Sequence, residues 1–184
     1  MELKYKKMTK KKITELLTNN YTSFVEYIKN LKDEDFLFIN NGKWTAGQQL
    51  KHIVICVKPI LQVFSMPKIV IEQNFGLSNR KSVDYNNLIV EYLVKLKEGG
   101  KAPSRFLPET VEAYQKVELC ETLINLISSL NLKIDTFSEE ELDKYFIPHP
   151  LLGNLTLREM LYNVIYHVEH HKDQTKKNLS TKNS

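Results

Sequence analysis

Two of the chain's five histidines, His167 and His171, stand four residues apart in an apolar segment. At about 100° per residue, Leu157, Met160, Leu161, Val164 and Val168 share one arc of a helix, with His167 on its edge and His171 inside it. Glu169 and Asp173 face away, and His170 lies off the stripe, as a surface or supporting residue. Imidazoles that continue an apolar stripe need partners, because an unpaired buried polar group costs about 1–3 kcal/mol. One turn apart, His167 and His171 are spaced to share a metal ion, which then needs at least one further ligand from elsewhere. His52, on the flank of the Leu50/Ile53/Val57 stripe, is the natural candidate; taken alone it reads as a core or interface histidine. Gln48, one turn earlier, is placed to orient the His52 ring or to reach a ligand water. Cys56, one turn after His52, reads as a packing thiol in preference to a ligand or nucleophile. His149, between Pro148 and Pro150, reads as bonding its own loop in preference to a metal.

The elements that must carry these residues follow from helical spacing. Apolar residues from Ile13 to Leu31 predict a first helix from about Lys12, with Asp33 to Gly42 as connector. Thr45 with Gln48 forms a capping box that opens a second helix, apolar on several sides, kinked at Pro59 and ended by Met66-Pro67. Trp44, just before the cap, reads as a staple against the first turn. Residues 66–80 read as a loop, residues 82–97 as a third helix stopped by Gly99-Gly100, and residues 101–108 as a proline-stiffened loop of the kind that walls sites. A fourth helix is predicted over about Val111 to Leu132, a short one from Ser138 to Tyr145, and a last one capped by Thr156 and Glu159 and running to about Lys176. Tyr85, Tyr92, Tyr162 and Tyr166 fall on core or interface faces. No strand alternation of useful length and no internal repeat is present. The expected fold is all-α, a four-helix bundle with one extra short helix, occupying residues 12–176 between a flexible lysine-rich leader (1–11) and a flexible tail (177–184).

Composition narrows the class. The chain is 42% apolar and 26% charged, which suits one globular domain. Its longest apolar run, Ile53 to Val57, is far short of the roughly 20 residues of a membrane span, and no apolar stretch follows the charged start as in a secretory signal. A cytoplasmic protein with no membrane partner is expected, with Cys56 and Cys120 packed and not bridged. The net charge of +4 is local, since residues 1–12 hold six Lys and one Glu and the rest sums to −1. This weighs against a nucleic-acid partner. The many-sided second helix leaves a homodimer open.

The stretch Trp44-Thr45-Ala46-Gly47-Gln48-Gln49-Leu50-Lys51-His52-Ile53, read with His149-Pro150-Leu151-Leu152-Gly153-Asn154-Leu155-Thr156 and His167-x-x-x-His171, resembles the DinB-like (DinB/YfiT) superfamily of metalloenzymes. The resemblance spans about residues 12–176 and keeps the order of elements. It implies a four-helix bundle whose metal is held by one histidine of the second helix and two of the last, here His52, His167 and His171. It further implies thiol transfer with a low-molecular-weight thiol cosubstrate, thiol-dependent isomerisation, or metal-dependent hydrolysis.

Three neutral imidazoles leave coordination positions open, as a catalytic site requires. Such a site activates water or a thiol toward a small-molecule substrate, and imidazole ligation suits Zn, Ni or Fe alike. No side chain stands out as a general base, so catalysis is expected to run through a divalent metal on His52, His167 and His171. Two alternatives are a non-catalytic metal- or ligand-binding bundle, stress-related, and an interaction module recruited by the lysine leader.

Overall fold

The computed structural model describes residues 7–183. Its elements run α1 (Lys10–Lys29), α2 (Asp33–Phe36), α3 (Ala46–Phe64), α4 (Lys68–Phe75), α5 (Tyr85–Lys97), α6 (Lys116–Ile134), α7 (Glu139–Lys144), β1 (Phe146–His149), β2 (Gly153–Thr156) and α8 (Leu157–Ser180). The fold is all-α apart from one small hairpin. The four long helices close into a ring, α1 on α6, α6 on α3, α3 on α8 and α8 on α1, while α5 lies against the outside of α8. Their inner faces fill one core, from Ile13, Leu17 and Phe24 through Leu50 and Ile53 to Leu123, Leu130, Leu161 and Val168. Each apolar stripe thus buries against two neighbours, as a bundle requires.

Local chemistry sets the boundaries. The Thr45/Gln48, Ser138/Glu141 and Thr156/Glu159 capping boxes all form. Several boundaries differ from those read off the sequence. Thr9 caps α1, two residues earlier than expected, and Met8 is buried with its N–H donating 2.9 Å to the Tyr162 hydroxyl. The fold therefore reaches into the stretch read as a solvated leader; residues 1–6 of that stretch lie outside the described residues. At the other end α8 continues through Ser180, because Asn178 is buried and its Nδ2 donates 3.2 Å to the Trp44 carbonyl, so the tail is largely helical. Residues 68–75, read as loop, form α4, and its one buried residue, Ile71, gives no periodic stripe for a sequence reading to detect. The hairpin was missed because each strand is four residues long and β1 contains Pro148.

The start of α8 is anchored by two buried charged residues. Arg158 and Glu159 are both fully buried, and both are satisfied. The Arg158 guanidinium donates to Asp143 Oδ1 (2.6 Å), the Met8 carbonyl (2.6 Å), and the carbonyl and carboxylate of Glu139 (2.7 and 2.8 Å), tying α8 to α7 and to the start of α1. The Glu159 carboxylate accepts from both terminal nitrogens of Arg80 and from the N–H groups of Val83 and Thr156. Burial alone would raise the Asp143 carboxyl, but hydrogen bonds from Arg158, Lys7 and Ser82 outweigh it and hold that group below its ordinary value. Removing one partner of such a node strands the others, so Arg158→Ala is expected to cost about 3 kcal/mol in denaturant unfolding at pH 7. A depressed carboxylate stabilises fully above its unfolded value and loses that contribution as pH falls through the folded one. The deficit of Arg158→Ala should therefore narrow on acidification below about pH 4, where wild type loses the same interactions.

Candidate metal centre

The capping boxes at Thr45 and Thr156 fix the registers of α3 and α8, and these two helices pack side by side. Across their contact the Nε2 atoms of His52 and His167 stand 3.3 Å apart, and those of His167 and His171 2.9 Å apart. The three histidines read from the sequence are thus brought together through the same ring atom.

Two of the rings are held by their far nitrogens. His52 Nδ1–H donates 2.7 Å to the Phe106 carbonyl, on a 3-10 turn (Ser104–Phe106) within the proline-stiffened loop. His171 Nδ1–H donates to the side-chain Oε1 of Gln49. An imidazole protonated at Nδ1 presents a bare lone pair at Nε2. Both lone pairs therefore face the same His167 Nε2, which carries at most one proton and can satisfy only one of them. Burial lowers the proton affinity of all three rings, most strongly in His167 and His171, so extra protons do not resolve the conflict at neutral pH. The Cys56 thiol, with Sγ 3.5 Å from His52 Nε2, is one donor in reach, and a cation would meet all three nitrogens at once. Nitrogens bound at about 2.0–2.1 Å to one ion stand about 2.9 Å apart at a right angle and about 3.3 Å apart at the tetrahedral angle, the two spacings seen here.

Cys56 belongs to this cluster more closely than its reading as a packing thiol implied. Its Sγ lies 3.5 Å from His52 Nε2, and the ligand atoms of His52, Cys56 and His167 all lie within 4.8 Å of one another. The side chain is half-buried, and burial pushes the thiol up to about 12, so it is protonated until a cation draws it in. Cys120 is buried within α6, and both cysteines are free.

Gln48 does not play the role expected of it. Its Oε1 accepts from Thr45 N–H and completes the capping box, so the side chain is engaged at the helix end. The orienting residue is Gln49, buried between the helices. The angle count used for α8, applied to α3, favours Gln49 over Gln48, because Gln49 falls between His52 and the core stripe. Trp44 likewise differs from a staple, since the residue at the staple position is Gln49. Its ring packs at 4.9 Å from His52 and 6.1 Å from His171, walling the cluster. His170 stays outside the cluster, its ring edge-on to His171 at 5.2 Å. His149 bonds its own loop, as expected: Nδ1 accepts from the Leu151 and Leu152 N–H groups (3.2 and 3.1 Å), and burial lowers the ring to about 4.

The cluster lies on the wall of a 560 Å³ cavity lined mainly by apolar side chains, among them Ile60, Val63, Phe75, Leu96, Phe106 and Met160. Among the described residues no Asp or Glu lines it; Lys101 and Arg105 contribute its fixed positive charge.

The sequence model of the DinB superfamily matches residues 16–175. The chain belongs to the DinB superfamily. A comparison with curated proteins finds no match. Membership in the DinB superfamily and the His–Cys–His cluster together fit a metal-binding protein. No single helix among the described residues is long and apolar enough to cross a membrane.

Gln49→Leu, which frees the His171 ring, is expected to lower metal affinity about 10–100-fold in a chelator competition with the fold intact. Gln48→Ala should instead cost about 1 kcal/mol of stability through the lost cap and leave metal affinity unchanged.

Proposed function

We propose that this DinB-superfamily protein is a metal-dependent enzyme in which His52, His167 and His171 hold a divalent cation, Zn, Ni or Fe, at the wall of an apolar cavity. The observation that carries the reading is the convergence of three imidazole nitrogens, two with bare lone pairs set by the Phe106 carbonyl and Gln49, at spacings that one bound cation would give. When bound, the cation supplies Lewis-acid activation, drawing the proton off a thiol cosubstrate or a water at neutral pH. The protein's own residues do the rest. Phe106 and Gln49 hold the ligand rings, Trp44 covers them, and the apolar walls exclude bulk water from the reactants. The absence of a carboxylate in the lining leaves activation to the cation and not to a side-chain base. Lys101 and Arg105 favour an anionic group on the incoming molecule, which suits thiolate-bearing or carboxylated reactants. S-transfer or hydrolysis on a small apolar-bodied molecule follows as the reaction class. Two free cysteines suit a reducing compartment such as the cytoplasm.

Elemental mass spectrometry on untagged protein prepared without chelator should find close to one transition metal per chain, and His52→Ala and His167→Ala should each lose it while remaining folded by circular dichroism. Thiol-transfer and hydrolysis screens on the loaded protein should then give turnover that both variants lack. Negligible metal after incubation with Zn, Ni and Fe(II) would overturn the reading in favour of a helical ligand-binding protein.

A further inference from the structure

Three buried side-chain atoms have no hydrogen-bond partner among the described residues: Asn131 Oδ1, Asn178 Oδ1 and Asn163 Nδ2. The first two are acceptors on amides whose Nδ2 groups are engaged, with Thr18 Oγ1 and the Trp44 carbonyl, and an under-used carbonyl oxygen is a common and mild defect. Asn163 differs. Its free atom is a donor, the residue is 5% exposed, and it lines the cavity one helical turn before His167. Positions 163, 167 and 171, spaced by four, lie along one face of α8.

The free donor sits at the cavity wall beside the histidine cluster. His149, which lines the same cavity, has its Nδ1 taken by the Leu151 and Leu152 N–H groups. An unsatisfied buried donor is costly, and polar groups left unpaired in a folded protein call for a functional explanation.

We propose that Asn163 Nδ2, buried at the cavity wall one turn before His167, is a substrate-positioning donor for an oxygen acceptor, a carbonyl or carboxylate oxygen on an apolar-bodied molecule whose reacting end lies at the histidine cluster. The inference rests on the metal-dependent reading for what sits at that cluster, and it deepens that reading by naming the substrate class. The apolar lining takes the body, Lys101 and Arg105 suit a carboxylate, and Asn163 fixes the direction of the oxygen.

The test compares two probes on zinc-incubated protein by calorimetry: octanoate, which offers an oxygen acceptor, and 1-hexylimidazole, which binds a metal but offers none. In Asn163→Leu, octanoate is expected to bind about ten-fold or more weakly, while 1-hexylimidazole stays within about two-fold of wild type. Because Leu removes an unpaired donor, the melting temperature should hold or rise, whereas loss of a purely structural amide would lower it. Asn163→Ala, which removes the donor without filling its space, should show the same split between probes if the Leu variant does not fold. Equal weakening of both probes, no weakening of octanoate, or no octanoate binding by wild type would overturn the proposal. Metal content measured on the same samples, and octanoate binding repeated after chelation, keep the two readings apart. Lost metal with a surviving octanoate difference overturns the metal centre alone, and retained metal without that difference overturns Asn163 alone.

Discussion

Everything at the site depends on where two protons sit. His52 and His171 each give their Nδ1 proton to a carbonyl oxygen, one from the Phe106 backbone and one from the Gln49 side chain. Those two bonds decide that Nε2 lone pairs face each other across the α3–α8 contact. Had either proton been on Nε2, His167 could have closed an ordinary chain of hydrogen bonds and the cluster would be a satisfied polar core. With both on Nδ1, His167 can answer only one of the two lone pairs, and the other is left to the Cys56 thiol or to a bound cation. Second-sphere partners of this kind raise ligand basicity and fix ring direction, so the proline-stiffened loop that carries Phe106 is as much a part of the centre as the helices.

Such a site needs an accurate helix register, and α8 supplies it from its first turn. Arg158 and Glu159 bury opposite charges that are each met by several partners from α7, the start of α1 and the segment holding Arg80 and Val83. Breaking that node would release the helix whose next turns carry Asn163, His167 and His171. Buried charge is a poor source of net stability but a strong constraint on geometry, since few alternative registers satisfy all the groups at once. The apolar face of α8, from Leu157 through Leu161 and Val168, supplies the burial that holds it in the ring.

The sequence made the helices legible wherever a cap and a periodic stripe coincided, as at Thr45, Ser138 and Thr156. It made three histidines legible because an imidazole on an apolar arc is anomalous, and anomaly is visible in one dimension. The supporting atoms were not. Phe106 acts through a backbone carbonyl, which no residue type announces, and its contact with His52 spans 54 positions. Spacing of four points to Gln48 as the partner of His52, whereas the cap engages Gln48 and the angle count around α3 places Gln49 toward the core. Cys56 was read by its commonest role, and nothing in its neighbours signals that the cavity opens beside it. Elements held by few periodic contacts, α4 and the hairpin, were lost for the same reason, that their placement is decided by tertiary partners.

Along α8 the polar groups run from fully satisfied to unsatisfied. Arg158 and Glu159, at the anchored end, have partners for their charged atoms; Asn163, one turn on, has a donor left free; at His167, further still, one Nε2 faces the ring nitrogens of both His52 and His171. A helix selected for stability alone would not carry this pattern, because apolar residues at positions 163, 167 and 171 would continue the stripe at no desolvation cost. The satisfied end holds the unsatisfied middle in place, and the apolar ring around both supplies the stability to tolerate it. Asn163, His167 and His171 also line the cavity. The unpaired donor at Asn163 and the crowded lone pairs of His167 and His171 are where a ligand could restore the local rules of folding, which is where function is expected to reside.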